Sequence, residues 1–167
     1  MLIYHGSNIA VEKPMLMEQT RGLDFGPGFY LTTNETQAVR FAEIVKNRRK
    51  SGIATVSVYD FDIDSAENKL SICRFKLADS NWLQFVSENR LKTYDGLVYD
   101  VVIGAVANDT VMPTIQAFLG GFLSEEATLI TLKTSKNTDQ LCFKTNNALS
   151  LLQFKKSYTI EGVGDYE

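Results

Sequence analysis

Apolar and polar positions change period several times along the chain, and each change predicts an element. Leu2-Ile3-Tyr4 is a short apolar run ending in His5-Gly6-Ser7, which predicts a first strand closing on a turn. The mixed segment 9–19, broken by Pro14, reads as a loop. Arg21 to Thr33 then carries three glycines and a proline ahead of a short β-prone run at Phe29-Tyr30-Leu31. Gly26 and Gly28 flank Pro27, so the backbone can take dihedrals closed to other residues and pass near a ligand. From Asn34 the period becomes helical, with Ala38, Phe41, Ala42 and Val45 on one face. Asn34 is placed to cap this helix and Gln37 to reach back, while Lys46, Arg48, Arg49 and Lys50 suit its negative end before Gly52 closes it.

Ala54 to Tyr59 alternates as a half-buried strand does, and Asp60, Asp62 and Asp64 follow it. These acids lack the Gly and the distal Glu of a calcium loop, so they predict a solvated turn. Leu70 to Phe75 predicts a strand; Asp79 or Ser80 caps a helix whose Trp82, Leu83, Phe85 and Val86 form a core stripe. After the turn at Asp95-Gly96, the run from Leu97 to Ile103 is apolar at nearly every position, which predicts a central strand ending at Gly104. Ala107-Asn108-Asp109-Thr110 reads as a loop and cap before a short helix through Ile115 to Phe118, stopped by Gly120-Gly121. Thr128 to Leu132 and Gln140 to Lys144 are two more strand candidates, Thr145 caps a helix over Asn146 to Leu152, and Phe154 to Ile160 is a last strand. The order is not a regular strand-helix alternation, so the class expected is α+β, in one domain spanning residues 1–167.

With 44% hydrophobic and 22% charged residues among 167, the composition is that of a globular domain with a real core. No run approaches the roughly 18 apolar residues of a membrane span, and the N-terminus lacks a signal-peptide layout, so a cytoplasmic protein without membrane contact is expected. Cys73 and Cys142 stand far apart without metal spacing, and there is one His. Reduced, buried thiols and no metal centre are therefore expected. A formal charge of −3 argues against indiscriminate nucleic-acid binding and leaves room for a local basic patch at the end of the first helix.

Singly, His5, Tyr30 and Gln140 fit structural roles: a hydrogen-bonded strand-end His, a core Tyr and a surface Gln. Taken in order, His5-Gly6-Ser7 on a first strand, Gly26-Pro27-Gly28-Phe29-Tyr30, a helix, and a late strand opening on Gln140-Leu141-Cys142-Phe143 resemble the ADP-ribosyltransferase superfamily. The resemblance is to the poly(ADP-ribose) polymerase and diphtheria-toxin-like branch, which carries a His-Tyr-Glu triad with frequent substitution at the third place. More closely, nearly the whole chain is similar to a prokaryotic family of uncharacterised proteins with this fold. That family is marked by Asp-Phe-Gly-X-Gly-Phe-Tyr, here Asp24 to Tyr30, by Val-Ala-Asn-Asp, here Val106 to Asp109, and by a late Gln.

The resemblance implies a split β-sheet core and NAD as substrate. It implies catalytic His5, Tyr30 and Gln140, with His5, Gly6, Ser7, Arg21, Gly28, Tyr30 and Phe41 around the dinucleotide. The Gly6 backbone would hold the nicotinamide carboxamide; Tyr30 and Phe41, eleven positions on, would sandwich the ring. His5 and Ser7 would bond ribose hydroxyls, and the planar fork of Arg21 suits the pyrophosphate. Asn108 and Asp109 would line the cleft without an assigned role. Gln140 departs from Glu: it keeps a hydrogen bond to the ribose and loses the charge that favours the cationic transition state. Asp139 would replace it only after a one-residue slip of register. Thr138 stands where arginine-modifying members carry Glu or Gln, so arginine is not a favoured acceptor.

The function expected is mono-ADP-ribosyl transfer from NAD to an unidentified protein or nucleic-acid acceptor, and the resemblance implies a toxin with a small antitoxin partner as its setting. The alternative is an NAD or ADP-ribose binding module that has lost catalysis at Gln140. Transfer of an RNA 2′-phosphate to NAD, known in some relatives, needs a basic groove that the overall charge disfavours.

Overall fold

The computed structural model describes residues 1–18, 21–107, 111–133 and 138–160. Within them the element order is β1 (Leu2–Ser7), β2 (Phe29–Leu31), α1 (Glu35–Arg49), β3 (Thr55–Asp60), α2 (Ile63–Glu67), β4 (Ile72–Arg74) and α3 (Ser80–Leu91). There follow β5 (Val101–Ala105), α4 (Met112–Leu119), α5 (Glu125–Lys133), β6 (Asp139–Phe143), α6 (Asn146–Leu149) and β7 (Gln153–Thr159). The class is α+β, as the sequence pattern predicts. No helix of the described residues is long and apolar enough to cross a membrane.

The strands form two sheets, ordered β1-β3-β7 and β2-β6-β5-β4. All pairs are antiparallel except β4 with β5. Among the described residues a single bridge, Tyr4 to Thr32, joins the sheets at the seam between β1 and β2. Alternation along each strand then builds three apolar layers. Ile3, Phe29, Leu31, Tyr59, Val101, Leu141 and Phe143, from both sheets, pack in one core. Ala38 and Ala42 of α1 cover the other face of the first sheet over Val56 and Val58. Trp82, Leu83 and Val86 of α3, with Ile115 of α4 and Leu132 of α5, cover the other face of the second sheet over Val102 and Cys142.

Local chemistry accounts for the helix ends. Asn34 caps α1 by accepting from the Gln37 N–H at 3.1 Å, and Asp79 caps α3 through the Trp82 N–H at 3.0 Å. Gln37 itself does not reach back to the cap; its Nε2 donates to the Asp139 carbonyl. The helix closes on Lys50, in left-handed backbone at φ 51°, just ahead of Gly52.

Several expectations are corrected. Thr128 to Leu132 is helical, not a strand: Ser124 caps α5, and Thr128 and Leu132, four apart, are its buried residues, so the helical period outweighs the β-branched side chains. The Asp-rich turn closes into α2, because Asp62 accepts from the Ser65 N–H. The apolar run at 97–103 starts in an exposed loop, with Leu97 73% and Val98 78% exposed. Pairing begins only after Asp100, whose carboxylate takes Ser71 and Thr145, and continues through Gly104 to Ala105. The strand is nonetheless internal to its sheet, between β4 and β6. Phe41 is 42% exposed and no part of the α1 core stripe, and Cys73 is only partly buried.

Candidate functional site

His5, Gly6 and Ser7 are the end of β1. The pleat turns His5 toward the layer between the sheets, where its ring lies on Phe29 with centroids 4.3 Å apart. Its Nδ1 is 2.7 Å from the Tyr30 carbonyl oxygen. A carbonyl only accepts, so Nδ1 carries the hydrogen and Nε2 of the neutral ring is an acceptor. No described residue bonds Nε2. Burial, partly opposed by the bond to Tyr30 and helped by the field of Arg49, lowers the His5 pKa to about 4.

This shift predicts a pH dependence. Between the ordinary imidazole value of 6.5 and about 4, the unfolded chain binds the proton that folded His5 refuses. Stability therefore falls as pH drops through that window and levels off below it, by about 3 kcal/mol in all. The carboxylates with lowered values, Asp60 and Asp100, act below the ordinary Asp value of 3.8 and leave the window clear. Urea midpoints measured from pH 7 to 4 are expected to show the slope in the wild type and lose most of it in His5→Gln.

Tyr30 follows Phe29, so its ring stands on the opposite face of β2 from His5. Its hydroxyl donates to the Gly26 carbonyl at 2.6 Å and accepts from the Phe25 N–H at 3.1 Å. The phenol thus ties the glycine turn to the strand, and burial raises its pKa well above the usual range. Gly26 takes a φ of 76°, a conformation L side chains rarely adopt. Gly28 is bare for a different reason: a Cβ there would strike Cys142 Sγ and sit 2.8 Å from the Phe143 carbonyl of β6. The sequence suggests glycines for a ligand; the structure uses this one for a neighbouring strand.

Gln140 shares the Tyr30 face of the β2–β6 pair, since Tyr30 registers with Cys142 and Gln140 with Gly104 of β5. It is 6% exposed, and its Nε2 donates to Asp24 Oδ2 at 2.8 Å. No slip of register brings Asp139 to this place: Asp139 instead accepts from Thr33 N–H, Thr33 Oγ1 and Thr32 Oγ1. Asp24 is the hub that sequence reasoning missed. Its carboxylate is 5% exposed, accepts from the Ala107 N–H at 3.0 Å and from Arg90 Nε at 2.7 Å, and forms an ion pair with that guanidinium. Asp24 does open the Asp-Phe-Gly-Pro-Gly-Phe-Tyr run, and an acid just ahead of a glycine turn is the signal that was there to be used.

The remaining candidates divide. Gly6 faces α1 so closely that a Cβ there would collide with the Ala38 carbonyl oxygen. Ser7 is buried with its hydroxyl 3.5 Å from Asn8 Oδ1. Arg49 donates to that same Asn8 oxygen at 3.1 Å, which fixes the basic end of α1 beside the end of β1. Burial, and after it the fields of the nearby Arg21 and Arg49, lowers the Arg48 pKa. Arg21 and Arg48 form no ion pair with a described residue. Arg21 also lines a cavity of about 240 Å³ with Gly22, Gly26, Pro27 and Asn89. Phe41 stacks on no described ring. Asn108 and Asp109 lie outside the described residues. The structure therefore brings His5 to the Tyr30 backbone and Gln140 to the Tyr30 face, and leaves the His5 and Tyr30 rings on opposite sides of β2.

Fold and site together define an α+β domain of two facing sheets, with a neutral His at their seam and a buried carboxamide on the adjoining strand pair. The chain belongs to the family described as "Protein of unknown function (DUF3990)", whose model matches residues 1–154. Comparison with curated proteins and with solved structures gave no match.

Proposed function

We propose that the chain is a mono-ADP-ribosyltransferase that cleaves NAD and passes ADP-ribose to a protein or nucleic-acid acceptor. One observation carries most of this reading: His5 is held neutral at the seam of the two sheets, with an Nε2 that no described residue bonds and that can accept from a ribose hydroxyl. Gln140 Oε1, which no described residue bonds, is the second acceptor. β2 is an edge strand of its sheet, and among the described residues one bridge, Tyr4 to Thr32, joins the two sheets at the seam where His5 lies.

Breaking the bond between nicotinamide and ribose sends its electron pair to the nicotinamide nitrogen and leaves an oxocarbenium-like sugar. Residues that hold the ribose hydroxyls by their lone pairs favour that positive charge as it develops. His5 and Gln140 supply such lone pairs, and the guanidinium of Arg21, which pairs with no described carboxylate, suits the pyrophosphate. The acceptor's nucleophile then attacks the anomeric carbon and gives up its proton.

Labelled NAD incubated with the protein and a cell extract tests this directly, with His5→Gln as control. Label in a macromolecule made only by the wild type is expected, and its release by protease or by nuclease names the acceptor class. Absence of both label and free nicotinamide, alongside measurable NAD binding, would replace the transferase by a binding module. A small antitoxin partner is part of the same proposal: expression should arrest growth, and His5→Gln should not.

A further inference from the structure

Gln140 at the third place of a His-Tyr-Glu pattern invites the view that an acid was lost there. The surroundings of Gln140 are built the other way. Its side chain meets the carboxylate of Asp24, which can only accept, so the carboxamide presents Nε2 to it at 2.8 Å. A glutamate at 140 would set two carboxylates against each other where Gln140 is 6% and Asp24 5% exposed. Carboxylates in such contact cannot both ionise without a large penalty. The other oxygen of Asp24 is occupied by Arg90, and Ala107 N–H shares Oδ2 with Gln140. The carboxylate is therefore fixed from α3, β6 and the loop after β5, and cannot turn away.

We infer that Gln140 is the residue this site was built for, and that Asp24 is its positioning residue, holding Nε2 so that Oε1 is the group offered to a ligand. Two consequences follow from that bond. The carboxamide cannot flip, so an acceptor and never a donor faces the ligand. The bond is also charge-assisted, and a carboxylate pulling on the N–H side of an amide enriches its carbonyl oxygen. Part of the charge that Gln140 lacks thus reaches the ligand through the amide. That Oε1 meets a ribose rests on the proposed transferase reading; the orientation of the carboxamide does not.

The experiment uses the full chain in three variants: Gln140→Glu, Asp24→Asn and the two combined. Thermal midpoints without NAD report the pair itself, and nicotinamide release reports the reaction. Gln140→Glu is expected to lower the midpoint by at least about 5 °C and nicotinamide release by at least about tenfold. The combined variant again holds one carboxylate and one carboxamide, and is expected to recover at least half of the lost midpoint, a coupling that additive structural damage would not give. In Asp24→Asn the Gln140 amide is free to flip, so kcat should fall with KM little changed. A Gln140→Glu form with unchanged midpoint and equal or greater turnover would overturn the inference while leaving the transferase standing. The expected midpoints with no nicotinamide released by any form, wild type included, would support the pairing and sink the transferase.

Discussion

Gly6→Ala is expected to destabilise the protein by about 3 kcal/mol, the upper range for forcing a group into a packed interior. The added methyl would collide with the Ala38 carbonyl oxygen and stand 2.7 Å from the Ala42 nitrogen, both backbone atoms of α1. A flexible side chain would swing aside; a helix backbone can yield only by moving the whole helix off β1. Ala38 and Ala42 are themselves small because the strand comes so near, and they are 2% and 0% exposed. In a chain of this size the loss corresponds to a thermal midpoint lower by about 10 °C. The midpoint should fall equally with and without NAD present. An alanine variant within two degrees of the wild type would show that α1 is not seated as described. Loss of NAD binding at unchanged stability would instead restore to Gly6 the ligand-contact role that the sequence suggests.

The contrast between Gly6, Gly26 and Gly28 shows how much of the site was legible beforehand. Glycine in a sequence announces that something comes close or turns sharply, without naming what. Gly26 needs its positive φ and was readable as turn chemistry. Gly6 and Gly28 are bare because α1 and β6 pass against them, and those neighbours are more than thirty and more than a hundred residues away in sequence. The helix caps at Asn34 and Asp79 were legible because a cap is a local contract between residues three apart. Register was legible where one face is buried, which is why Gln140 and not Asp139 turns to the Tyr30 side. Thr128 to Leu132 was misread because β-branched residues sit there, whereas the deciding facts, the Ser124 cap and the burial of Thr128 and Leu132 under one helix face, come partly from tertiary packing. The role of Asp24 was not legible, since its partners come from α3, the loop after β5, and β6.

Asp24→Leu should be among the most damaging single changes outside the apolar core, at about 3–5 kcal/mol, the range for removing one partner of a buried ion pair. The leucine would leave Arg90, the Ala107 N–H and Gln140 Nε2 facing apolar surface, and each unpaired buried donor carries its own desolvation penalty. Arg90→Leu should cost less than Asp24→Leu, because the Arg90 side chain is 25% exposed against 5% for Asp24, and because Gln140 and Ala107 still bond the carboxylate that remains. The combination is the informative case. Once the guanidinium is gone, the leucine at 24 strands two donors and no longer strands a charge. Removing both should therefore cost less than the two single losses added together, by about 1–2 kcal/mol in a double-mutant cycle on urea unfolding. Strict additivity would mean that Arg90 and Asp24 do not hold each other in solution. The loop entering β2 would then be fixed chiefly by the Tyr30 hydroxyl, and Tyr30→Phe, which strips the bonds to Gly26 and Phe25, would become the more damaging change.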